Sequence, residues 1–177
     1  DQISFGIYHT TRYDVEYTVE YYNKTMGNLI EYKEGTVVYS NNIPWDSKIE
    51  KNGRGHVQGI DFLAQKQQGK ITGLISYSIS KNTREFETLN GGRKYPFKYD
   101  QRHNVSVVGN IQLTKHFTFS AAWVYNSGNN VTLPSSKHQI ILHNYSNLLD
   151  EKFVFEDVHI YEERNNFRLP SFHKLDI

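Results

Sequence analysis

Eight histidines are the first residues in this sequence that invite a chemical reading. His138, His143 and His159 fall in one long stretch, where neutral imidazoles could ligate a metal ion. Their spacing fits no zinc-ligand pattern, and the chain contains no cysteine. They read as solvated or hydrogen-bonding imidazoles, with no metal and no cofactor. The carboxylates come next. Glu162-Glu163 and Asp150-Glu151 are adjacent pairs, and neighbours on an extended chain point to opposite faces. Neither pair can therefore work as a joined acid and base. No nucleophile elbow or phosphate loop is present, and Asn90-Gly91-Gly92 is a turn signal. Enzymatic catalysis is not expected.

Rings beside cations are the stronger lead. Trp45, Tyr95, Phe97 and Tyr99 stand near Arg93, Lys94 and Lys98. Flat aromatic faces and guanidinium or ammonium groups stack on a sugar or grip an anionic ligand. Trp45, Arg93, Tyr95, Phe97 and Tyr99 are thus the candidate ligand-binding set. The same residues serve equally well as an interfacial girdle or as loop–loop packing.

The elements that must carry these residues are strands. Helix signals are nearly absent. Residues 13–21 alternate strictly, with Tyr13, Val15, Tyr17, Val19 and Tyr21 on one face and Asp14, Glu16, Thr18 and Glu20 on the other. Residues 57–66 and 71–79 form a hairpin about the polar turn Gln67-Gln68-Gly69-Lys70. Residues 103–112 and 117–125 form a second about Leu113-Thr114-Lys115-His116. The connections between these units, roughly 26–55, 82–101 and 127–167, are much longer. Within them, 28–39 and 152–161 read as extended. Short turns alternate with long ones, as in outer-membrane barrels with short periplasmic turns and long extracellular loops.

Composition agrees. Twenty basic against 19 acidic side chains leave a net charge of +1, which offers no clustered basic face for nucleic acid. The mean hydropathy is −0.65, and no apolar run approaches the ~18 residues of a membrane helix. A barrel needs apolar residues only at alternate strand positions. Aromatic residues make 14 % of the chain, with 13 Tyr, 10 Phe and 2 Trp. Tyr77 and Tyr125 near the long loops, and Phe117 and Phe119 near a short turn, fit two aromatic girdles. The opposite faces carry Ser, Thr, Asn, Gln, Asp and Glu but little Lys, which suits a wet lumen partly filled by protein. The first residues are neither a signal peptide nor a start Met, and the last stop inside a strand, so both ends read as cuts through a larger protein.

Six segments, in order, carry a family resemblance: 21–32 (YYNKTMGNLIEY), 53–62 (GRGHVQGIDF), 95–104 (YPFKYDQRHN), 123–129 (WVYNSGN), 163–170 (ERNNFRLP) and 172–176 (FHKLD). The set resembles the C-terminal barrel region of TonB-dependent receptors, in the branch with a carboxypeptidase-regulatory-like N-terminal domain. The resemblance implies that residues 1–177 are part of an antiparallel transmembrane β-barrel of about 22 strands. The plug, the TonB box, the early barrel and the final strand are missing from it. It further implies a bacterial outer-membrane importer of a scarce nutrient, such as an iron chelate, cobalamin, a glycan or a peptide. Its partners would be outer-membrane lipid, the TonB complex acting through the missing part, the substrate, and in some relatives a surface lipoprotein. On that reading Asp100, Arg102 and Asn104, two apart, share the lumen face. The rival is a soluble β-sandwich that binds a ligand or carbohydrate. It requires Val15, Tyr17, Ile75, Val107 and Trp123 to be buried against one another.

Overall fold

The structure, a computed structural model, describes residues 1–34, 36, 43–144 and 152–177, without the side chains of 142–144 and 152–154. The His143 side chain, the Asp150-Glu151 pair, and residues 35 and 37–39 of the extended stretch lie outside the described residues.

The chain is all-β and antiparallel. Its strands are β1 (Gln2–Thr10), β2 (Val15–Tyr32), β3 (Ile49–Lys66), β4 (Ile71–Glu85), β5 (Tyr95–Pro96), β6 (His103–Gln112), β7 (Thr118–Asn126), β8 (Asn130–Val131), β9 (Ser136–Asn144), β10 (Lys152–Ile160), β11 (Phe167–Arg168) and β12 (Phe172–Asp176). Eight of them form one sheet in the order β1-β2-β3-β4-β6-β7-β12, with β5 beside the end of β4. Each strand pairs with its successor on this path, so the sheet is a meander. Two smaller sheets, β9 with β10 and β8 with β11, lie within the connection between β7 and β12. The sheet does not close on itself among the described residues: β1 and β12 each have one neighbour.

Alternation explains the register. Ile7, Val19, Phe62, Tyr77, Val105 and Tyr125 lie in one lateral row across six strands. The next row on that face holds Tyr17, Ala64, Ile75, Val107, Trp123 and Leu175. The opposite face carries Glu20, Asp61, Ser78, Asn104 and Asn126 in a row. A slip of one residue in any strand would exchange the faces, so the pattern specifies the pairing.

The apolar face is uncovered. Tyr17 is 37 %, Ile75 46 % and Leu175 57 % exposed, and neither Val15, Val107 nor Trp123 is buried. These side chains do not meet in a dry core. The upper margin of the apolar band also descends across the sheet. Ile3 on β1 lies one row above Tyr21 and Ile79, and Tyr125 on β7 lies one row below them.

Connections sort by length. The turns at 11–14, 67–70 and 113–117 lie at one end of the sheet; the connections at 33–48, 86–102 and 127–171 lie at the other. The bounds of three strands and the pairing of one stretch differ from the sequence reading. Strands β2 and β3 are 18 residues each and β4 is 15, because they run on toward the long connections. Tyr77 therefore lies mid-strand, although the apolar face turns polar just beyond Ile79. The 152–161 stretch is extended but pairs in its own hairpin and does not prolong the main sheet.

Candidate functional site

The buried residues gather at the long-connection end. Phe86, Leu89 and Tyr95 form a cluster with Leu29 packed on it. The Phe86 ring lies directly over Gly53, where a Cβ would collide with it. A side chain at 53 would thus displace the ring that anchors the connection after β4. The turn Asn90–Gly92 follows, with Asn90, Gly91 and Gly92 all at positive φ. That explains the glycine pair.

Asp100 is the electrostatic centre. It is 1 % exposed. Its Oδ1 accepts the backbone N–H of Asn82 at 2.6 Å, and its Oδ2 accepts Arg168 Nη2 at 2.7 Å and Arg102 Nη2 at 3.5 Å. Arg168 also donates to the carbonyls of Asp100 and Gly128. One carboxylate thereby ties β4, the 86–102 connection and the 127–171 connection together. Burying such a charge is tolerable because three donors surround it.

Three buried asparagines finish the fastening. Asn90 receives the Arg164 backbone N–H on its Oδ1 at 2.9 Å and donates its own N–H to Glu34 at 2.8 Å. Asn130 Nδ2 donates to the Phe97 carbonyl at 3.0 Å, and Asn165 Nδ2 to the Pro96 carbonyl at 2.8 Å. Arg164 pairs with Glu31 at 3.3 Å, with both side chains mostly covered, and lies 5.7 Å from the Tyr95 ring centre. Burial pushes the Tyr95 phenol up to about 12, with Arg164 pulling the other way.

Two clefts open on this cap. One, about 720 Å³, lies among three connections and includes Tyr32, Asn90, Arg93, Tyr161, Glu163 and Arg164. The other, about 400 Å³, adds Lys94, Asn165 and Arg168. Arg93 and Glu163 pair at 3.3 Å across their rim. Exposed rings, paired charges and amides can hold a polar ligand with a flat apolar face by stacking and hydrogen bonding.

The anticipated residues are divided by this geometry. Arg93 lines both clefts. Tyr95 is 2 % exposed, belongs to the buried cluster and borders the smaller cleft. Phe97 lies under the Arg84 guanidinium at 4.2 Å and meets Tyr99 edge-on at 5.4 Å. Tyr99 is exposed. Trp45 is exposed in the short helical turn Trp45–Lys48, in a different connection. Among the described residues it makes no ring contact with the other three. Asp100 and Arg102 do pair, but they precede β6, so strand alternation does not govern them. Asn104, on β6, faces the polar side of the sheet. Tyr32, Tyr161, Arg164 and Arg168 are not among the residues the sequence singles out for the site, though Tyr32, Arg164 and Arg168 fall inside the segments that carry the resemblance. His138 and His159 lie on opposite faces of the β9–β10 hairpin. Neither family models nor curated proteins give a match to this sequence.

Proposed function

We propose that this chain forms part of the wall of an outer-membrane β-barrel, in a TonB-dependent importer of a scarce nutrient. One observation carries the membrane reading. A continuous apolar face spans the sheet, open to its surroundings, while every long connection lies at one end. The descending margin of the apolar band supports it further, because strands tilted against a barrel axis carry a level belt diagonally across their pairing rows. The span is also right. From Ile71 to Ile79 the strand rises about 26 Å at ~3.3 Å per residue, which is about 20 Å along the normal at a tilt near 40° and close to the ~25 Å of a barrel's apolar band.

The TonB-dependent part rests on the ordered sequence segments. In that mechanism the long loops capture the substrate, the clefts around Arg93, Tyr32 and Tyr161 giving first contact. The inner-membrane complex then pulls on the plug and opens a path along the polar face. No covalent step is required of these residues.

The test is a labelling scan in the full-length protein in vesicles, with single cysteines introduced into residues 1–177, which have none, and any cysteine elsewhere in the protein replaced by serine. Nitroxides at Tyr17, Ile75 and Trp123 are expected to be accessible to oxygen and shielded from a water-soluble nickel chelate. Labels at Thr18, Ser76 and Val124 are expected to show the reverse. Equal accessibility on both faces, or recovery of the protein in the soluble fraction, would refute the barrel.

A further inference from the structure

The apolar face carries a groove of about 450 Å³ toward its short-turn end. Tyr17, Phe62, Ile75 and Val107 wall it, and Gly73 and Gly109 lie between them. The two glycines oppose each other across β4 and β6, but they differ in what they meet. A Cβ on Gly73 would collide with the Val108 carbonyl oxygen, so close backbone approach accounts for that glycine. A Cβ on Gly109 would meet nothing within 4 Å among the described residues. Glycine weakens a strand interior and often marks the close approach of a ligand. With no neighbour to avoid, Gly109 keeps the space beside the groove open.

Lys66 is the one charged residue lining the groove. It shares the row of Gly73 and Gly109, one row below Ala64, Ile75 and Val107. It makes no ion pair among the described residues. Glu16, the strand acid nearest in register, lies on the opposite face and accepts Gln65 Nε2. The level of Lys66 follows from the register. The lower margin of the apolar band steps across the sheet as the upper one does. Its last apolar side chain is Ile7 on β1, Ala64 one row lower on β3, and Ile71, Ile111 and Phe119 two rows lower again. Lys66 follows Ala64 on that face and so stands at the margin. At a tilt near 40°, one row is worth about 5 Å of height and one strand step about 3 Å. Lys66 is then level with Ile111 to within about 2 Å, while Phe62 and Val107 stand about 10 Å above it. The groove thus runs from the interface into the hydrocarbon layer. A lysine stem at such a margin lies along apolar surface and holds its ammonium among the headgroups.

Given the barrel reading above, on which this rests, we propose that the groove binds a phospholipid of the periplasmic leaflet. One acyl chain lies over Gly109 and Gly73, and the phosphate sits on Lys66. The leaflet follows from the short turns, which face the periplasm in such barrels. A phospholipid is the occupant because the groove is apolar along its length and ends on an unpaired cation at headgroup level. A hydrocarbon chain and an anionic head complement both features at that separation.

The experiment places the full-length protein in phosphatidylcholine vesicles containing phosphatidylglycerol with a diazirine on one acyl chain. After illumination, adducts are mapped by peptide mass spectrometry. They are expected to concentrate on residues 62–75 and 105–109, above the level at Ile7 and Phe119, which face lipid outside the groove. Gly109→Leu fills open space, so the strand accepts it, and the groove adducts are expected to fall to that background level. Lys66→Gln is expected to lower them about fivefold. Lys115→Gln, in the other short turn, is expected to leave them unchanged. A nitroxide at Trp123 reports insertion in each sample. Undiminished adducts in Gly109→Leu, with the Trp123 label in lipid, would overturn the groove and leave the barrel standing. Equal labelling by a diacylglycerol with the same diazirine, or no change in Lys66→Gln, would overturn the phosphate contact. A water-exposed Trp123 label in the wild type would overturn both the groove and the barrel.

Discussion

Asp100 shows what one residue does here. Its two carboxylate oxygens receive donors from residues 82, 102 and 168. Removing one member of a buried charge group costs about 3 kcal/mol, because the remaining charges lose their partner. Asp100→Ala is accordingly expected to release the 86–102 and 127–171 connections. Hydrogen exchange at the Asn82 amide would rise sharply, while β6 and β7 amides near the short turns keep their protection. Uniform loss over the whole sheet would contradict a local fastening. Tyr95 supplies a pH prediction. Its phenol is shifted from 10.0 up to about 12 by burial. Folding therefore favours the neutral form: its contribution is complete below pH 10 and is lost as pH rises from 10 toward 12. In difference absorbance against Tyr95→Phe, one tyrosinate should appear near pH 12, with loosening of the cap. A Tyr95 titrating at 10 would show that its ring is open to water.

At the scale of elements, the cap and the sheet are separate structures. The sheet is held by lateral pairing; the cap is held by Phe86, Leu89 and Tyr95 and by the Asp100 network. Truncating a buried Phe costs about 3–5 kcal/mol. Phe86→Ala is expected to raise protease cleavage within 86–102 while leaving the label pattern on β2–β7 unchanged. Loss of insertion in that variant would show that the cap holds the sheet together. The strands were largely legible beforehand. β2, the β3–β4 hairpin and the β6–β7 hairpin each declare themselves by period-2 alternation. β1 carries the same signal, in Ile3, Phe5, Ile7 and His9 against Gln2, Ser4, Gly6 and Tyr8, though those residues read at first only as a terminus. The cap was not legible. Most of its contacts join residues 18 to 74 apart, and they follow no period. Aromatic residues near cations announced a site: Tyr95 borders the smaller cleft from within the buried cluster, Phe97 packs under Arg84, and Tyr32 and Tyr161 line the larger cleft.

At the scale of the whole molecule, the main sheet presents two unpaired edges among the described residues, β1 and β12, and one broad apolar face. Both features associate in water: unpaired strands template further pairing, and exposed apolar area of this extent is not left bare by soluble monomers. Residues 1–177 alone, in buffer without detergent, are expected to form large species by light scattering and to be dispersed by detergent. A monodisperse monomer in plain buffer would count against membrane contact. By itself the sequence determined the strands, their two faces and the sorting of turns from long connections. These depend on side chains two residues apart, which is information local to the chain. Only the tertiary structure decided that the apolar face stays uncovered, that its margin steps across the strands, and which loop residues are buried or open. Those properties depend on lateral register and on contacts between distant connections, and no local pattern encodes them.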